Sequence, residues 1–282
     1  MQRIGVVGGG LMGSGIAEVC ARAGLDTVVV EVSEEAAKAA EARIRESLDR
    51  AASRGKITEA DAAAMLGSIS FSSDLEALAD RDLVVEAASE QEDTKLELFR
   101  RIGALLESES AILASNTSSI PIVKLGAVSG RPDRVLGVHF FNPAPVMQLV
   151  ELIPSLTTSA ESMQRMQAFV SVTLGKKPIE ATDRAGFVVN SLLVPYLLSA
   201  VRMYEAGYAS AADIDRGMVL GCGHPMGPLA LSDLIGLDTV RAIGVSMYHE
   251  FKEPLFSPPP LLDRMVDAGL LGRKSGHGFY PY

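Results

Sequence analysis

Residues 3–31 read RIGVVGGGLMGSGIAEVCARAGLDTVVVE. The first five residues form a short apolar run that ends in glycines, as a buried strand meeting a tight turn does. The period then changes. Ile16, Val19, Cys20 and Ala23 recur at i, i+3, i+4 and i+7, one face of a helix, and Gly24 stops it. Residues 27–30 are a second β-branched run, ending at Glu31. Strand, turn, helix and strand make a βαβ unit, whose connection requires parallel strands.

The turn, Gly8-Gly9-Gly10-Leu11-Met12-Gly13, matches G-x-G-x-x-G. Gly8 allows the tight turn, Gly10 lets backbone approach a pyrophosphate, and Gly13 lets helix pack on strand. The free N–H groups of the helix start, at Leu11 and Met12, then point at the phosphates. Glycines alone would equally suit a structural turn. Glu31, however, stands eighteen residues after Gly13, where a carboxylate meets the ribose 2′-hydroxyl. A carboxylate there repels a 2′-phosphate, so the spacing predicts NAD rather than NADP.

Beyond this unit, residues 33–54 form an Ala- and Glu-rich helical stretch broken by Gly55, and Thr58 can cap a second helix to about 66. Together they predict a helical hairpin projecting from the sheet. Further strands are expected at 83–85, 111–114, 135–140, 148–152 and 178–181. Ser89 and Glu92 suggest a capping box for a helix reaching 106. A helix is expected at 159–174. After Asp183 the pattern becomes wholly helical, with long apolar stretches at 190–204 and 229–251. The reading is an α/β chain. Residues 1–183 form a Rossmann-like, doubly wound parallel sheet with a helical hairpin insertion. Residues 184–282 form an all-α domain for substrate and dimerisation.

The chain has 282 residues, 48% hydrophobic, enough for a substantial core. A net charge of −9 argues against general binding to nucleic acid or anionic membrane. Cys20 and Cys222 cannot build a disulfide framework and fit a reducing cytoplasm. His139, His224, His249 and His277 have no second His or Cys at ligand spacing, so no metal site is expected. The longest apolar candidate for a membrane span, 192–201, carries Pro195 and Ser199 and is too short. The glycines at the N-terminus make a poor signal-peptide core.

A nicotinamide enzyme acting on an alcohol also needs a proton acceptor, and histidine titrates near working pH. His139 ends a strand in VHFFNPAPV, on the side where parallel sheets bind ligands. Glu151 follows twelve residues later on the next strand, within reach across a proline-rich turn. A carboxylate there would hold the imidazole tautomer and stabilise imidazolium. By spacing alone, a structural strand-end histidine remains the commoner case.

GGGLMGSGIA, SNTSS, HFFNPAPVMQLVE, GFVVN, HPMGPL and LGRKSGHGFY stand in this order from residue 3 to residue 281. In them the chain resembles the 3-hydroxyacyl-CoA dehydrogenase family, its short bacterial members most closely. The resemblance implies NAD-dependent interconversion of (S)-3-hydroxybutyryl-CoA and acetoacetyl-CoA. It implies His139 as general base or acid and Glu151 as its electrostatic partner. Ser118 and Asn190 would hold the substrate near C3. Glu31, Glu90, Lys95, Asn142 and Lys274 would contact NAD. The basic and hydroxyl cluster Arg50, Ser53, Arg54 and Lys56 would meet the CoA nucleotide, although its pattern departs from that of relatives. A homodimer through the helical domain is also implied. The alternatives are the same chemistry on a sugar acid or a carrier-bound acyl group, and a dinucleotide-binding protein without turnover. Against the last stands the joint presence of His139, Glu151, Ser118 and Asn190.

Overall fold

The computed structural model describes all 282 residues, which divide into two units, Met1–Asp183 and Arg184–Tyr282. In the first unit β1 (Arg3–Val7), α1 (Leu11–Arg22) and β2 (Asp26–Val30) form the βαβ unit. The strands pair in parallel from Arg3↔Asp26 to Val7↔Val30. Ile16, Ala17 and Cys20 of α1 are buried, as are Ile4 and Val6 of β1 and Val28 and Val29 of β2. Each fully buried aliphatic side chain stabilises by about 1.5–3 kcal/mol relative to exposure. That holds the unit at the sheet's centre.

The helical hairpin follows as α2 (Glu34–Ser53) and α3 (Glu59–Gly67). Ser33 caps α2 by accepting the Ala36 N–H at 3.2 Å. Thr58 and Asp61 form a reciprocal capping box on α3. The unit continues with β3 (Ile69–Ser72), β4 (Leu83–Glu86), α4 (Glu92–Leu105), β5 (Ile112–Ser115), α5 (Ile122–Val128), β6 (Val135–Phe140), β7 (Leu149–Pro154), α6 (Ala160–Ala168) and β8 (Lys177–Glu180). The sheet has eight strands in the order β3-β2-β1-β4-β5-β6-β7-β8. Every residue of β4, β5 and β6 is buried, as expected where helices cover both faces.

The structure departs from the sequence reading at several elements. β3 is a short edge strand and α5 a short helix, both unpredicted; neither carries a sustained period. The Ser89–Glu92 capping box does not form, because α4 begins two residues later than that box requires. Gln91 occupies its N-cap, without a side-chain cap. The 159–174 helix is α6 followed by a π-helical turn, Phe169–Thr173. β6 and β7 pair antiparallel, so the sheet is parallel except for this hairpin.

The second unit consists of α7 (Val189–Glu205), α8 (Ala211–Cys222), α9 (Pro228–Ile235), α10 (Leu237–Phe251) and α11 (Pro260–Asp267). The expected 229–251 helix is two helices, because the backbone at Gly236 takes φ 102°, a conformation that side chains other than glycine resist. Leu197, Leu198, Val201, Leu229, Val240, Met247 and Leu262 form its core. Asp233, almost fully buried, accepts the N–H groups of Phe279 and Tyr280 and the Tyr282 hydroxyl, each at 3.0 Å, tying down the C-terminal segment.

Candidate active site

A cleft of about 640 Å³ opens at the carboxyl ends of β1, β2 and β4, lined among others by Gly8, Gly10, Glu31, Val32, Ala88 and Arg101. The glycine turn that borders it has no room for a side chain at Gly8, Gly9 or Gly13. Gly8 has φ +89°, and a Cβ on Gly13 would lie 1.7 Å from the Gly8 carbonyl oxygen. A Cβ on Gly10 would meet nothing within 4 Å, so space is open there. No side chain caps the N-terminus of α1. Glu31 closes the cleft's other side. Its Oε1 accepts the Gly9 N–H at 2.6 Å and its Oε2 the Val32 N–H at 3.1 Å. An anion-binding helix start with a carboxylate beside it fits a dinucleotide with a free ribose hydroxyl.

Two strands away, the hairpin places His139 of β6 directly opposite Glu151 of β7. Opposed residues of an antiparallel pair project to one face, within side-chain reach. His139 Nδ1 lies 2.8 Å from Glu151 Oε2. Glu151 is fully buried, and His139 is 5% exposed. A carboxylate only accepts, so the imidazole donates through Nδ1 and turns its Nε2 to the opposite edge of the ring. That nitrogen is 2.9 Å from Ser118 Oγ. Asn116, in the same SNTSS loop, accepts the Phe140 N–H at 2.8 Å and fastens the loop to the end of β6.

A second buried network supports this loop. Glu86, at the end of β4, is fully buried. Its Oε1 accepts from Lys95 Nζ at 2.6 Å and from the Ala88 N–H at 2.7 Å, and its Oε2 accepts from Ser115 Oγ at 2.7 Å. Lys95, 1% exposed, also reaches the Ala88 carbonyl at 3.3 Å and Glu90 Oε2 at 3.4 Å. Glu90 Oε1 accepts from the Thr117 hydroxyl, the Ser118 N–H at 2.9 Å and the Ser119 hydroxyl at 3.0 Å. Burial raises the Glu90 pKa, but the Lys95 charge and these three donors outweigh it and hold the carboxyl below its ordinary value. The structure therefore brings together Glu90, Lys95, Ser118, His139 and Glu151 in one chain of contacts.

The whole chain matches one family in two parts. Residues 3–184 match the model of the 3-hydroxyacyl-CoA dehydrogenase NAD-binding domain, and residues 186–282 match that of its C-terminal domain. The chain belongs to the 3-hydroxyacyl-CoA dehydrogenase family. It is 55% identical to the 3-hydroxybutyryl-CoA dehydrogenase of Mycobacterium tuberculosis, covering 100% of this chain and 99% of that protein. It is 44% identical to the mitochondrial hydroxyacyl-coenzyme A dehydrogenase of Sus scrofa, covering 100% of this chain and 91% of that one. Among solved structures, an (S)-3-hydroxybutyryl-CoA dehydrogenase from Ralstonia eutropha superposes with a TM-score of 0.94 at 46% identity, covering 100% of this chain and 99% of the other. The chain is thus an oxidoreductase with the family's NAD-binding domain, and the cofactor is NAD.

The remaining candidates of this 3-hydroxyacyl-CoA dehydrogenase family chain lie on other elements. Asn142 follows β6 and joins Pro143 through a cis peptide bond. The turn it opens is held by Lys176, which donates to the carbonyls of Ala144 at 2.8 Å and Met147 at 2.7 Å; burial pushes its pKa down. Arg50, Ser53, Arg54 and Lys56 are exposed at the end of α2 and just after it. Arg50 pairs with Glu46 at 3.0 Å, and Ser53 Oγ donates to the Arg50 carbonyl. In the second unit, Asn190 is 8% exposed in the first turn of α7, and Lys274 is paired with Asp238 at 2.5 Å. No group of three or more His, Cys, Asp or Glu could hold a metal ion. No helix is long and apolar enough to cross a membrane.

Sequence reasoning missed Glu86, Asn116 and Lys176. The apolar run LVVEA hides Glu86 as a strand residue, and its partner Ser115 stands 29 residues away. Lys176 meets its carbonyls 29 and 32 residues away. No local pattern signals contacts of that range.

Proposed function

We propose that this chain interconverts (S)-3-hydroxybutyryl-CoA and acetoacetyl-CoA with NAD, and that His139 moves the proton. The observation that carries the reading is the imidazole held between Glu151 at Nδ1 and Ser118 at Nε2. The names of the M. tuberculosis and R. eutropha relatives support the substrate. NAD, when bound, supplies the hydride acceptor for oxidation and, as NADH, the hydride donor for reduction.

The residues divide the remaining work. In oxidation, His139 Nε2 takes the proton of the 3-hydroxyl. Glu151 keeps the tautomer that makes Nε2 the proton acceptor, and its charge stabilises the imidazolium formed. Ser118 Oγ hydrogen-bonds the C3 oxygen and aligns it. In reduction, the imidazolium returns the proton to that oxygen. Asn190 holds the same part of the substrate. Glu31, Glu90, Asn142 and Lys274, with the turn Gly8 to Gly13, hold the cofactor, and Lys95, which is buried, acts through Glu90. Arg50, Ser53, Arg54 and Lys56 form a local cationic patch on an acidic protein, as a polyanionic CoA nucleotide needs.

The working form is a cytoplasmic homodimer joined through the C-terminal helices, without nucleic-acid partners. The exposed face of α8 supports the dimer: Leu220 is 77% exposed, and a Cβ on Gly217 or Gly221 would meet nothing within 4 Å. Loss of NADH absorbance on adding acetoacetyl-CoA tests the activity, with free acetoacetate as the comparison. Fast oxidation with the thioester alone is expected. Equal rates with both would refute CoA recognition, and no oxidation with either would refute the reaction.

A further inference from the structure

The glycine turn is held from outside by a residue that the motif does not contain. Arg43, exposed on the middle of α2, donates through Nη1 to the Gly9 carbonyl. Ser14 Oγ donates to the same carbonyl at 2.7 Å and lies 3.5 Å from Arg43 Nη1. The other face of this peptide segment is also taken, because the Gly9 N–H donates to Glu31 Oε1 at 2.6 Å. Gly9 is pressed against α2 as well: a Cβ on it would lie 2.4 Å from the Ala40 Cβ.

A trans peptide points its C=O and the following N–H in opposite directions. Fixing the Gly9 carbonyl toward Arg43 and Ser14 therefore turns the Gly10 N–H the other way. It also sets the start of α1, where no side chain competes for the free N–H groups. Consecutive glycines have little conformational preference of their own, so without such a clamp this peptide would sample other orientations. A charge-assisted hydrogen bond is roughly twice as strong as a neutral one, which suits Arg43 to the task.

We propose that Arg43 is a positioning residue for the cofactor's pyrophosphate, acting through the Gly9 carbonyl to aim the Gly10 N–H and the first turn of α1 at the phosphates. The proposal rests on the NAD-binding domain and is independent of which acyl-CoA the enzyme takes. It also ties the cofactor turn to the helix whose far end carries Arg50 and Arg54.

The test is equilibrium binding of NADH, followed by its fluorescence, to the full-length wild type and to Arg43→Met, Ser14→Ala and the double variant. Adenosine, which lacks phosphate, is the second probe, measured by competition. Arg43→Met should raise the NADH Kd about 10-fold, the scale of one hydrogen bond to a charged group, and leave adenosine binding unchanged. The NADH KM should rise in parallel. Because Ser14 and Arg43 hold one carbonyl, the double variant should weaken NADH binding by more than the product of the two single effects. An unchanged NADH Kd in Arg43→Met overturns the proposal. Equal weakening of adenosine also overturns it, since that marks general damage to the domain. A double variant equal to the product of the singles overturns the shared-carbonyl mechanism.

Discussion

Replacing Glu86 with Gln should destabilise the first unit far more than loss of one surface charge would. Once the Glu86 charge is gone, the carboxylate left to Lys95, 1% exposed, is that of Glu90 at 3.4 Å, beside neutral acceptors such as the Ala88 carbonyl at 3.3 Å. Removing one partner of a buried ion pair costs about 3–5 kcal/mol. Glu90 remains as a weaker partner, so the lower end, about 3 kcal/mol, is expected. At about 2–4 °C per kcal/mol for a domain of this size, Tm falls by roughly 6–12 °C. Removing both charges, in Glu86→Gln with Lys95→Met, takes away the uncompensated ammonium. The double variant should therefore recover most of the loss, with a coupling energy of about 2–3 kcal/mol. Urea unfolding followed by circular dichroism, with a common m-value across the four proteins, measures this cycle. A Glu86→Gln effect under about 0.5 kcal/mol, the size of an ordinary surface change, would refute the reasoning. So would strictly additive effects in the double variant.

Two other outcomes are expected. NADH should support a much higher kcat/KM than NADPH, and neutralising Glu31 should narrow that gap mainly through KM, since the contact is remote from the chemistry; equal use of both cofactors in the wild type would contradict the role of Glu31. Glu90 has a folded pKa below its unfolded value, so its carboxylate stabilises the fold above the unfolded value of about 4.3. That contribution is lost as pH falls through the lower folded value, so the Tm gap between wild type and Glu90→Gln should be present at neutral pH and close in acid; a gap that does not change with pH would contradict it.

The βαβ unit and its ligand turn were legible because their information is local. The apolar run of β1, the helical period of α1 and the glycines lie within 31 residues, and Glu31 stands at a fixed distance. The antiparallel course of β7 was missed, although the seven residues between the expected strands 135–140 and 148–152 are too few for a parallel crossover. The break at Gly236 was not legible, since one glycine within a helical pattern does not announce a positive φ. The same division holds at the site. His139 and Glu151 could be suspected from a strand end and a twelve-residue spacing, but on residue types alone that suspicion was weak. Register pairing across the hairpin gives it a geometry. Glu86, Asn116, Lys176 and Arg43 act through partners that are distant in sequence and often backbone atoms, which carry no side-chain signature.

The central claim is that His139 moves the substrate's proton, and kcat of His139→Gln in acetoacetyl-CoA reduction at saturating NADH tests it most directly. Loss of an acid–base group costs about 10²–10⁴-fold in rate. His139→Gln should lose kcat on that scale while binding NADH as the wild type does. A variant that keeps wild-type kcat would contradict the account.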